Sequence, residues 1–458
     1  MKRLRLFGCI ILYGLVTTLF GLESSVESSI RLFDAWVEAR ILDKDIPAAV
    51  VGIVHKDTLI WSKSYGEIDK EAVLPLGSLT KPLTAVAVLR LWQKGMLELD
   101  VPIQRYLPGF NVRGYNPSAR PITIRMLLQH TSGLPQDPDF PFYNDLIFPD
   151  FQALWANIAE QQLVFSPGLS WKYSNTGYAL LGKIIETVSG RPYEEYMYEE
   201  ICKPLLMKQA TFAPNFSSVP KGYSHKALDC KRKEIQPYKT MGLCPAMGLY
   251  APLDEWGQLA SFFLGKVASK TIISSPTRRY MLTSTVPMIP GARFGLGIAL
   301  RRYSNILLIE HASQLPGYSS YISIDPFQQI GLVVFTACQQ ELTPWADAFV
   351  RWVSSGFAEK SQHAYSEEQA RWKKFEGRYM GPEGIVYVVL HQGALSLYEP
   401  LSSNMLDRLV PTETEGLFQI RDGYTFNGSN GDFVQFEVAS SGSVSSMKIA
   451  NMYMYPVQ

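Results

Sequence analysis

The sequence has no excess of charge of either sign. Among its 458 residues, 43 lysines and arginines stand against 42 aspartates and glutamates, which leaves a formal net charge of +1. Such a chain offers no global electric field to attract nucleic acid or an anionic membrane. We therefore expect a small molecule or a neutral polymer as the partner, and no nucleic acid.

Cysteine and histidine are both scarce, with five and six residues respectively. Apart from His130 and His311, the histidines show no spacing typical of metal ligands, so we expect no metal site and no cofactor. So few cysteines do not make a disulfide scaffold in a chain of this size. Cys230 and Cys244 are the one pair worth considering as a disulfide, and buried thiols are the alternative.

Apolar residues, in contrast, are plentiful. They make up 47% of the chain, and aromatic residues 12%, which is enough for a full core and more than one domain. At the N-terminus, Lys2, Arg3 and Arg5 precede an apolar run over residues 6–22, the pattern of an export signal. Residues 1–22 thus predict an exported protein of the periplasm or cell envelope, held at the membrane through residues 6–22 if the signal stays uncleaved.

The spacing of apolar residues predicts a first domain over residues 29–355, with a mostly helical insert between two mixed ends. The expected fold class is α/β (α+β), an antiparallel sheet flanked by helices. Helices are predicted over 29–42, 78–94 and 344–353. Strands are predicted over 48–54, 58–63, 294–302, 306–310, 318–324 and 330–337.

The C-terminal part of the sequence has a different composition. Residues 356–370 are polar and charged, and we expect them to form a linker. From 371 to 458, about six short alternating runs are separated by glycine, serine and asparagine turns, which indicates strands with one buried face. This region predicts a second, all-β domain, lipocalin-like, in the form of a small barrel or half-barrel.

The first candidate for chemistry is Ser78, which is followed by Lys81 on the same face of a predicted helix. A serine hydroxyl becomes a nucleophile when a neighbouring base takes its proton, and a helix N-terminus favours the negative charge that develops. The S-x-x-K pattern occurs twice more, starting at Ser218 in a loop and at Ser445 in a predicted strand. Only Ser78 has a glycine before it and a long predicted helix behind it.

A second candidate is the tripeptide Tyr173-Ser174-Asn175. A phenol serves as a base when a nearby cation such as Lys81 lowers its pKa, and the Asn175 amide can hold a substrate carbonyl or the lysine. The same tripeptide recurs at 303–305, between two predicted strands, where serine and asparagine are typical of a hairpin turn. We therefore assign proton transfer to Tyr173.

These stretches resemble the serine β-lactamase and penicillin-binding-protein superfamily, in the branch of class C β-lactamases, D,D-carboxypeptidases, D-amino-acid peptidases and related esterases. Residues 77–85, GSLTKPLTA, are similar to its first motif, and residues 173–175 to its second. Residues 124–135, IRMLLQHTSGLP, and 245–250, PAMGLY, are similar to two flanking signatures. The resemblance covers about residues 29–355 and implies a β-lactamase/transpeptidase-like fold.

The third motif of that family, K-T-G or H-x-G on a sheet edge, is matched by His311-Ala312-Ser313. The resemblance implies that His311 binds or orients a substrate carboxylate or carbonyl. It also implies an oxyanion hole formed by the backbone N–H groups of Gln314 and Ser78. Ser313 departs from the usual glycine, and its side chain is expected either to exclude bulky substrates or to donate a hydrogen bond to a substrate carboxylate.

The implied reaction is acyl transfer through an ester on Ser78, with Lys81 or Tyr173 as the base. No acidic residue is marked as a separate base for deacylation, and we expect His130 to pack beneath the site. The predicted function is that of an exported D,D-carboxypeptidase or a D-amino-acid peptidase-like penicillin-binding protein, acting on a peptidoglycan-type peptide. An esterase or β-lactamase of the same superfamily, and a catalytically silent sensor or scaffold, are the alternatives.

Overall fold

The computed structural model describes residues 24–116, 120–226, 231–266, 269–359, 366–382, 384–391, 393–399, 407–421, 431–449 and 452–457. The predicted export segment and Cys230 lie outside these ranges. Among the residues inside them, no helix combines the length and the apolar character needed to cross a membrane.

An antiparallel sheet forms the centre of the first domain. The strands of this domain are β1 Ala48–His55, β2 Thr58–Gly66, β3 Leu74–Pro75, β4 Gly222–Tyr223, β5 Glu234–Ile235, β6 Tyr250–Ala251, β7 Val286–Ile289, β8 Ala292–Phe294, β9 Ala299–Tyr303, β10 Ile306–Leu315, β11 Tyr318–Asp325 and β12 Ile330–Thr336. Eight of them form one sheet in the order β2-β1-β12-β11-β10-β9-β8-β7. Because β1 pairs with β12, the two ends of the domain meet in one sheet, as the sequence predicts.

Helices cover both faces of this sheet, so β11 and β12 are buried throughout. The helices are α1 Ser24–Asp43, α2 Thr80–Gln93, α3 Ile124–Leu128, α4 Phe142–Asp145, α5 Phe151–Glu160, α6 Asn175–Ser189, α7 Tyr193–Met197, α8 Cys244–Met247, α9 Leu253–Phe263, α10 Ser269–Ile272, α11 Ser275–Thr283, α12 Thr343–Phe349, α13 Ser355–Glu359 and α14 Glu367–Trp372. Helices α1 and α12 share one core with the sheet, and α2, α6 and α9 share the other.

Two predicted strands differ from those observed. The predicted strand over 294–302 is broken into β8 and β9, and at the break Gly297 has a φ of 91° and lies so close to helix α2 that a Cβ would collide with Ala85. Strand β10 is longer than predicted and extends to Leu315, so the whole third motif lies within a strand. Its pairing with β9 ends at Glu310, which leaves the motif on a free edge.

The C-terminal domain is a closed barrel, one of the two predicted forms. Its strands are β13 Gly377–Gly381, β14 Gly384–His391, β15 Ala394–Tyr398, β16 Asp407–Pro411, β17 Leu417–Arg421, β18 Phe433–Val438, β19 Val444–Ile449 and β20 Met452–Val457. These eight strands exceed the six or so expected from the sequence. Closure removes exposed edges, and aromatic side chains including Phe375, Phe418 and Phe436 fill the interior.

The barrel packs against the first domain through helix α1. Barrel residues Tyr387 and Tyr398 belong to the same core as α1 and α12, and Arg31 of α1 forms an ion pair with Glu376 at 2.7 Å. The predicted linker over 356–370 is partly helical, since it contains most of α13 and the start of α14. A capping box at Ser366 begins α14.

Candidate active site

The predicted nucleophile lies at the start of the long helix α2. A 3₁₀ turn, Gly77–Leu79, runs directly into α2, so Ser78 stands at the helix N-terminus. Gly77 has a φ of 54°, and a Cβ there would collide with the hydroxyl of Ser313. Glycine is required at 77 because it tolerates the positive φ and lets strand β10 approach closely.

Lys81 is fully buried one helical turn after the serine. Its Nζ lies 3.0 Å from Ser78 Oγ, 2.7 Å from Asn175 Oδ1 and 2.9 Å from the Ala246 carbonyl oxygen. All three partners are neutral, and Nζ also lies 4.6 Å from the centroid of the Tyr173 ring. These contacts fix the amine against the serine hydroxyl, which is the position that a general base requires.

The pKa values of the lysine and the tyrosine are shifted in opposite directions. Burial lowers the pKa of Lys81 far below its usual value, and the nearby charge of Asp137 opposes only part of that shift. Burial raises the pKa of Tyr173, and a hydrogen bond with Ser78 offsets part of the rise. The two shifts favour Lys81 as a neutral base and Tyr173 as a phenol that keeps its proton, so this phenol is not activated in the way that the sequence suggests.

The residues of Tyr173-Ser174-Asn175 have separate tasks. The Tyr173 side chain reaches the cleft above Ser78. Ser174 caps helix α6, because its Oγ accepts a hydrogen bond at 3.0 Å from the backbone N–H three residues later. Asn175 connects the lysine amine to a carboxylate: its Oδ1 accepts from Lys81, and its Nδ2 donates to the carboxylate of Asp137 at 2.6 Å.

His130 packs beneath the site, which confirms its expected role. Its Nδ1 accepts a hydrogen bond from the backbone N–H of Ser174 at 3.1 Å, and its ring lies 4.4 Å from that of Tyr173. Burial, with a smaller effect of the Lys81 charge, moves the pKa of His130 well below its ordinary value, so the imidazole is neutral. This histidine therefore supports Tyr173 from below and has no direct contact with the cleft.

The second flanking signature, residues 245–250, provides backbone oxygens around the lysine. The Ala246 carbonyl accepts from Lys81, and the Pro245 carbonyl accepts from Thr84 Oγ1 at 2.7 Å on the next turn of α2. Met247 of the same segment lines the cleft. The PAMGLY stretch thus holds α2 in place and gives the buried amine one of its three partners.

His311 lies behind the nucleophile and not among the residues described as lining the cleft. Its side chain is 5% exposed and packs edge-on against Phe294. Burial and the charge of Lys81 lower the pKa of His311 to about 3. A neutral imidazole offers no positive charge to a substrate carboxylate, so the geometry favours orientation of the nucleophile turn over the expected carboxylate binding.

Gln314 and Ser313 lie on opposite faces of β10, where the strand has lost its β9 neighbour. Leu315 pairs with Tyr318 across a two-residue turn, so the alternation of an antiparallel pair directs the Gln314 N–H to the free edge. That direction agrees with the oxyanion role implied for Gln314. Ser313 points inward, and its Oγ accepts a hydrogen bond from the backbone N–H of Ser78 at 2.7 Å. Both expectations for Ser313 placed its hydroxyl toward substrate, whereas the structure places it on the amide of the nucleophile.

These residues surround a cleft of about 340 Å³. The structure brings Ser78, Tyr173, Asn175, Ser313 and Gln314 together on its walls, with Lys81 directly behind the serine. The other lining residues are Gln136, Tyr143, Met247, Ala312, Ser320, Tyr321, Gln340, Glu341, Leu342 and Thr343. None of the lining residues is a lysine or an arginine, and Glu341 contributes a carboxylate.

The repeated motifs elsewhere in the chain lie outside the cleft. Lys221, the lysine of the second S-x-x-K copy, is exposed and forms an ion pair with Glu234 at 2.9 Å. The third copy lies in strand β19, as predicted. Residues 304–305 form the hairpin turn between β9 and β10, where Tyr303 pairs with Ile306. The flanking sequence thus correctly predicted the strand and the hairpin turn that hold two of the repeated copies.

Sequence reasoning missed several residues of the site, above all Asp137, Tyr143 and Glu341. Asp137 binds Asn175, and the Tyr143 hydroxyl lies 3.5 Å from the same carboxylate. None of them belongs to a motif with distinctive spacing. The position of Asp137 just after the LP that ends the 124–135 signature was the one available signal.

In the part of the chain that the structure describes, no group of three or more histidine, cysteine, aspartate or glutamate side chains could hold a metal ion. Cys202, Cys244 and Cys338 are free and buried. Burial raises the pKa of Cys338 to about 11, so this thiol stays protonated.

Comparison with known proteins agrees with this geometry. A family model described as Beta-lactamase matches residues 33–354. Protein flp from Staphylococcus aureus strain MW2 is 26% identical over 321 residues, covering 68% of this chain and 64% of flp. Beta-lactamase-like protein 2 from Dictyostelium discoideum is 24% identical over 332 residues, covering 68% of this chain and 60% of that protein. The chain thus matches less than two thirds of the length of these relatives.

Solved structures share the fold. The octameric penicillin-binding protein homologue from Pyrococcus abyssi has a TM-score of 0.63 at 22% identity, covering 93% of this chain and 99% of that one. A D-amino acid amidase from Ochrobactrum anthropi has a TM-score of 0.63 at 20% identity, with coverages of 72% and 99%. Since the family model spans most of the chain, this protein belongs to the β-lactamase family, within the serine β-lactamase and penicillin-binding-protein superfamily.

Proposed function

We propose that this protein is a serine hydrolase that cleaves an amide or ester through an acyl intermediate on Ser78. One observation carries the proposal: a fully buried lysine amine lies 3.0 Å from the serine hydroxyl and has neutral partners only. Burial lowers the pKa of Lys81 far below its usual value, which favours the uncharged amine that a general base requires. A silent scaffold has no need for this arrangement.

Acylation then follows from the contacts. Lys81 takes the proton of Ser78 Oγ, which forms a bond to the substrate carbonyl carbon, and the electron pair of the C=O bond moves to the oxygen. When that pair re-forms the C=O bond, the bond to the leaving nitrogen or oxygen breaks. Tyr173 gives its proton to the leaving group and is reprotonated from Lys81. The Nζ of Lys81 lies 4.6 Å from the centroid of the Tyr173 ring, which keeps the two groups together.

Deacylation uses the same groups in our proposal. Once Lys81 is neutral again, it takes a proton from a water molecule whose oxygen forms a bond to the carbonyl carbon of the ester on Ser78. The ester C–O bond then breaks, and Lys81 returns the proton to Ser78 Oγ, 3.0 Å away. Asp137 is the acid nearest to this chemistry, but its carboxylate is engaged by Asn175 at 2.6 Å. We assign Asp137 to orienting Asn175 and adjusting the charge state of Lys81.

The charge of the cleft narrows the substrate class. Recognition of a terminal carboxylate normally uses arginine or lysine, and no such side chain lines the described cleft. Glu341 instead provides negative charge, which attracts a free amino group. We therefore place the substrate among small D-amino-acid amides, esters or short peptides with a free amine, in preference to the carboxylate-bearing substrates of a D,D-carboxypeptidase. The D-amino acid amidase that shares the fold supports this choice.

The export expectation is kept as part of the proposal. The charged and apolar pattern of residues 1–22 supports action in the periplasm or cell envelope, where such peptides occur, with membrane association through residues 6–22 if the segment is retained. Intact-mass analysis of protein from the membrane and soluble fractions of the cell envelope tests both points.

Intact-mass analysis also tests the nucleophile. Wild-type protein incubated with a fluorophosphonate or a penicillin should gain the mass of one adduct, and Ser78→Ala should gain none. Folded wild-type protein that forms no adduct with either reagent would favour the sensor or scaffold reading.

A matched pair of substrates tests the substrate class. D-alanyl-D-alanine N-methylamide carries a free amine and no carboxylate, and N-acetyl-D-alanyl-D-alanine carries a free carboxylate and no amine, so the same peptide bond is cleaved in both. We expect kcat/KM to be at least about tenfold higher for the first, and Glu341→Gln to lower it by roughly three- to tenfold through loss of one partly exposed charge interaction. Glu413→Gln, in an exposed barrel turn, is the control. A preference for the carboxylate substrate would return the carboxypeptidase reading to first place.

A further inference from the structure

Two serines from neighbouring strands hold the turn that carries the nucleophile. Ser313 of β10 and Ser320 of β11 are cross-strand partners. Ser320 Oγ donates to the Leu76 carbonyl at 2.7 Å, and Ser313 Oγ accepts from the Ser78 N–H at 2.7 Å. The turn before the helix is thus fastened at both ends, once through a carbonyl and once through an amide.

The second of these bonds changes what the cleft presents to a substrate. The Ser78 N–H is expected to donate a hydrogen bond to the oxyanion, but it already donates one to the Ser313 hydroxyl. Gly77 leaves room for this, because any side chain at that position would collide with Ser313 Oγ. The hydroxyl therefore occupies the place where a carbonyl oxygen would meet the amide.

The Ser313 hydroxyl still has a proton to donate. In the part of the chain that the structure describes, its oxygen has the Ser78 amide as donor, and its own proton meets no protein acceptor. Ser313 is 4% exposed, and its exposed surface lines the cleft. A hydroxyl that accepts a hydrogen bond becomes a better donor, because the two bonds polarise each other.

We propose that Ser313 is a catalytic residue whose hydroxyl donates the oxyanion-hole hydrogen bond that an amide of the nucleophile would otherwise supply. The chain of donors runs from the Ser78 N–H to Ser313 Oγ, and from the Ser313 proton to the oxyanion, with the Gln314 N–H on the free strand edge as the second donor. This inference rests on the proposed function, since an oxyanion forms only if Ser78 attacks a substrate carbonyl.

The step itself moves no proton through Ser313. As the Ser78 Oγ bond to the carbonyl carbon forms, the C=O electron pair becomes a lone pair on the oxygen, held by the Ser313 O–H and the Gln314 N–H. The pair returns when the leaving group departs, and the Ser313 proton stays on its oxygen throughout. The role is electrostatic, and it is largest where the negative charge is largest.

Stopped-flow acylation by a p-nitrophenyl ester of a D-amino acid tests this role. Ser313→Ala removes the donor and keeps a methyl group over the amide, so the acylation rate should fall roughly 10²- to 10³-fold, the scale for loss of one oxyanion donor. Ser313→Gly clears the amide for direct contact with the substrate oxygen, and its rate should lie between those of wild type and Ser313→Ala. Ser320→Ala is the matched control, because it removes the other fastening hydroxyl without removing the proposed donor.

A second measurement separates donation from mere fastening. The infrared carbonyl stretch of the isotope-edited acyl-enzyme should move to higher wavenumber in Ser313→Ala and stay near the wild-type position in Ser320→Ala. Unchanged or faster acylation in Ser313→Ala, or equal losses and equal spectra for the two alanine variants, would overturn the inference while wild-type acylation leaves the proposed function standing. If wild type forms no acyl-enzyme at all, the proposed function fails instead.

Discussion

Two lysines in this molecule each lie over a tyrosine ring, but the charges around them differ. Lys81 in the cleft and Lys63 beneath helix α1 each stand over a tyrosine ring, with Nζ 4.6 Å from the centroid of Tyr173 and 5.0 Å from that of Tyr65. Lys81 has only neutral direct partners. Lys63 binds Asp34 at 2.8 Å and Glu38 at 2.7 Å.

The carboxylates decide the outcome. Burial alone would lower the pKa of Lys63, but the charges of Asp34 and Glu38 outweigh it and raise that pKa. Burial also raises the pKa of Asp34. Lys63 offsets only part of this rise, because Asp34 shares the lysine with the like charge of Glu38. At Lys81 the nearest carboxylate acts through Asn175, and burial dominates. A buried lysine thus becomes a base or a structural cation according to whether a carboxylate touches it.

Replacing each lysine with methionine should give the largest difference between the two sites. Lys81→Met removes the base, so turnover and adduct formation should fall by roughly 10³-fold or more. The fold should tolerate the change, since the buried amine has no direct ion pair to lose. Lys63→Met should keep the activity of folded protein but lower the free energy of unfolding by roughly 1 to 3 kcal/mol, because Asp34 loses its partner.

Steady-state kinetics and urea unfolding check the two variants side by side. Equal losses of stability would show that Lys81 is a structural cation as well.

The stability that Lys63 contributes should depend on pH in a definite direction. Its pKa is raised by folding, so its contribution to stability is present below the unfolded pKa and is lost as pH rises through the folded value. The alkaline limb of stability should therefore flatten in Lys63→Met.

The two tyrosines should differ in the same way, with a smaller effect. Tyr173→Phe removes the phenol that passes a proton to the leaving group, so kcat should fall about 10²-fold with little change in stability. Tyr65→Phe removes a hydrogen bond to Asp34 of 2.7 Å and should cost about 1 kcal/mol of unfolding free energy with kcat unchanged. Tyr303→Phe, in the other Tyr-Ser-Asn copy, should leave kcat unaltered; a loss equal to that of Tyr173→Phe would mean the second motif is misplaced.

Local sequence was sufficient for the parts of the site that short spacing determines. Ser78 and Lys81 are one helical turn apart, and Ser174 caps the helix that carries Asn175, so the motifs encode their own geometry. The assignment of their copies to loops and strands also followed from flanking residues.

Local sequence could not predict the contacts between distant segments of the chain. The hydroxyl of Ser313 reaches the amide of Ser78 across 235 positions, and this direction depends on the register of β10 and on Gly77. The pKa of Tyr173 depends on burial by several elements, which no short pattern reports. In the barrel, strand β13 at the start of the domain pairs with strand β20 at its end. An alternating pattern of apolar residues does not report such a pairing, and alone it predicted too few strands.

The smallest expected effect concerns Asp137, the carboxylate that acts on Lys81 from a distance. Its charge raises the pKa of the lysine against the larger effect of burial. Asp137→Asn removes that charge but keeps an oxygen that can accept from Asn175, so the rate at the optimum should fall about fivefold or less. The lysine pKa should drop further, and the neutral amine should persist to lower pH.

The acid limb of the kcat/KM profile should therefore move to lower pH in Asp137→Asn, because acylation is lost as pH falls through the pKa of Lys81. Asp139→Asn, an exposed neighbour two residues away, is the matched control and should leave the limb in place. Loss of the acid limb together with most of the activity in Asp137→Asn would mean that the carboxylate itself, and not the lysine, is the base titrating there. An unmoved limb would mean that Asn175 insulates the lysine from the charge, and the pKa of Lys81 would then depend on burial alone.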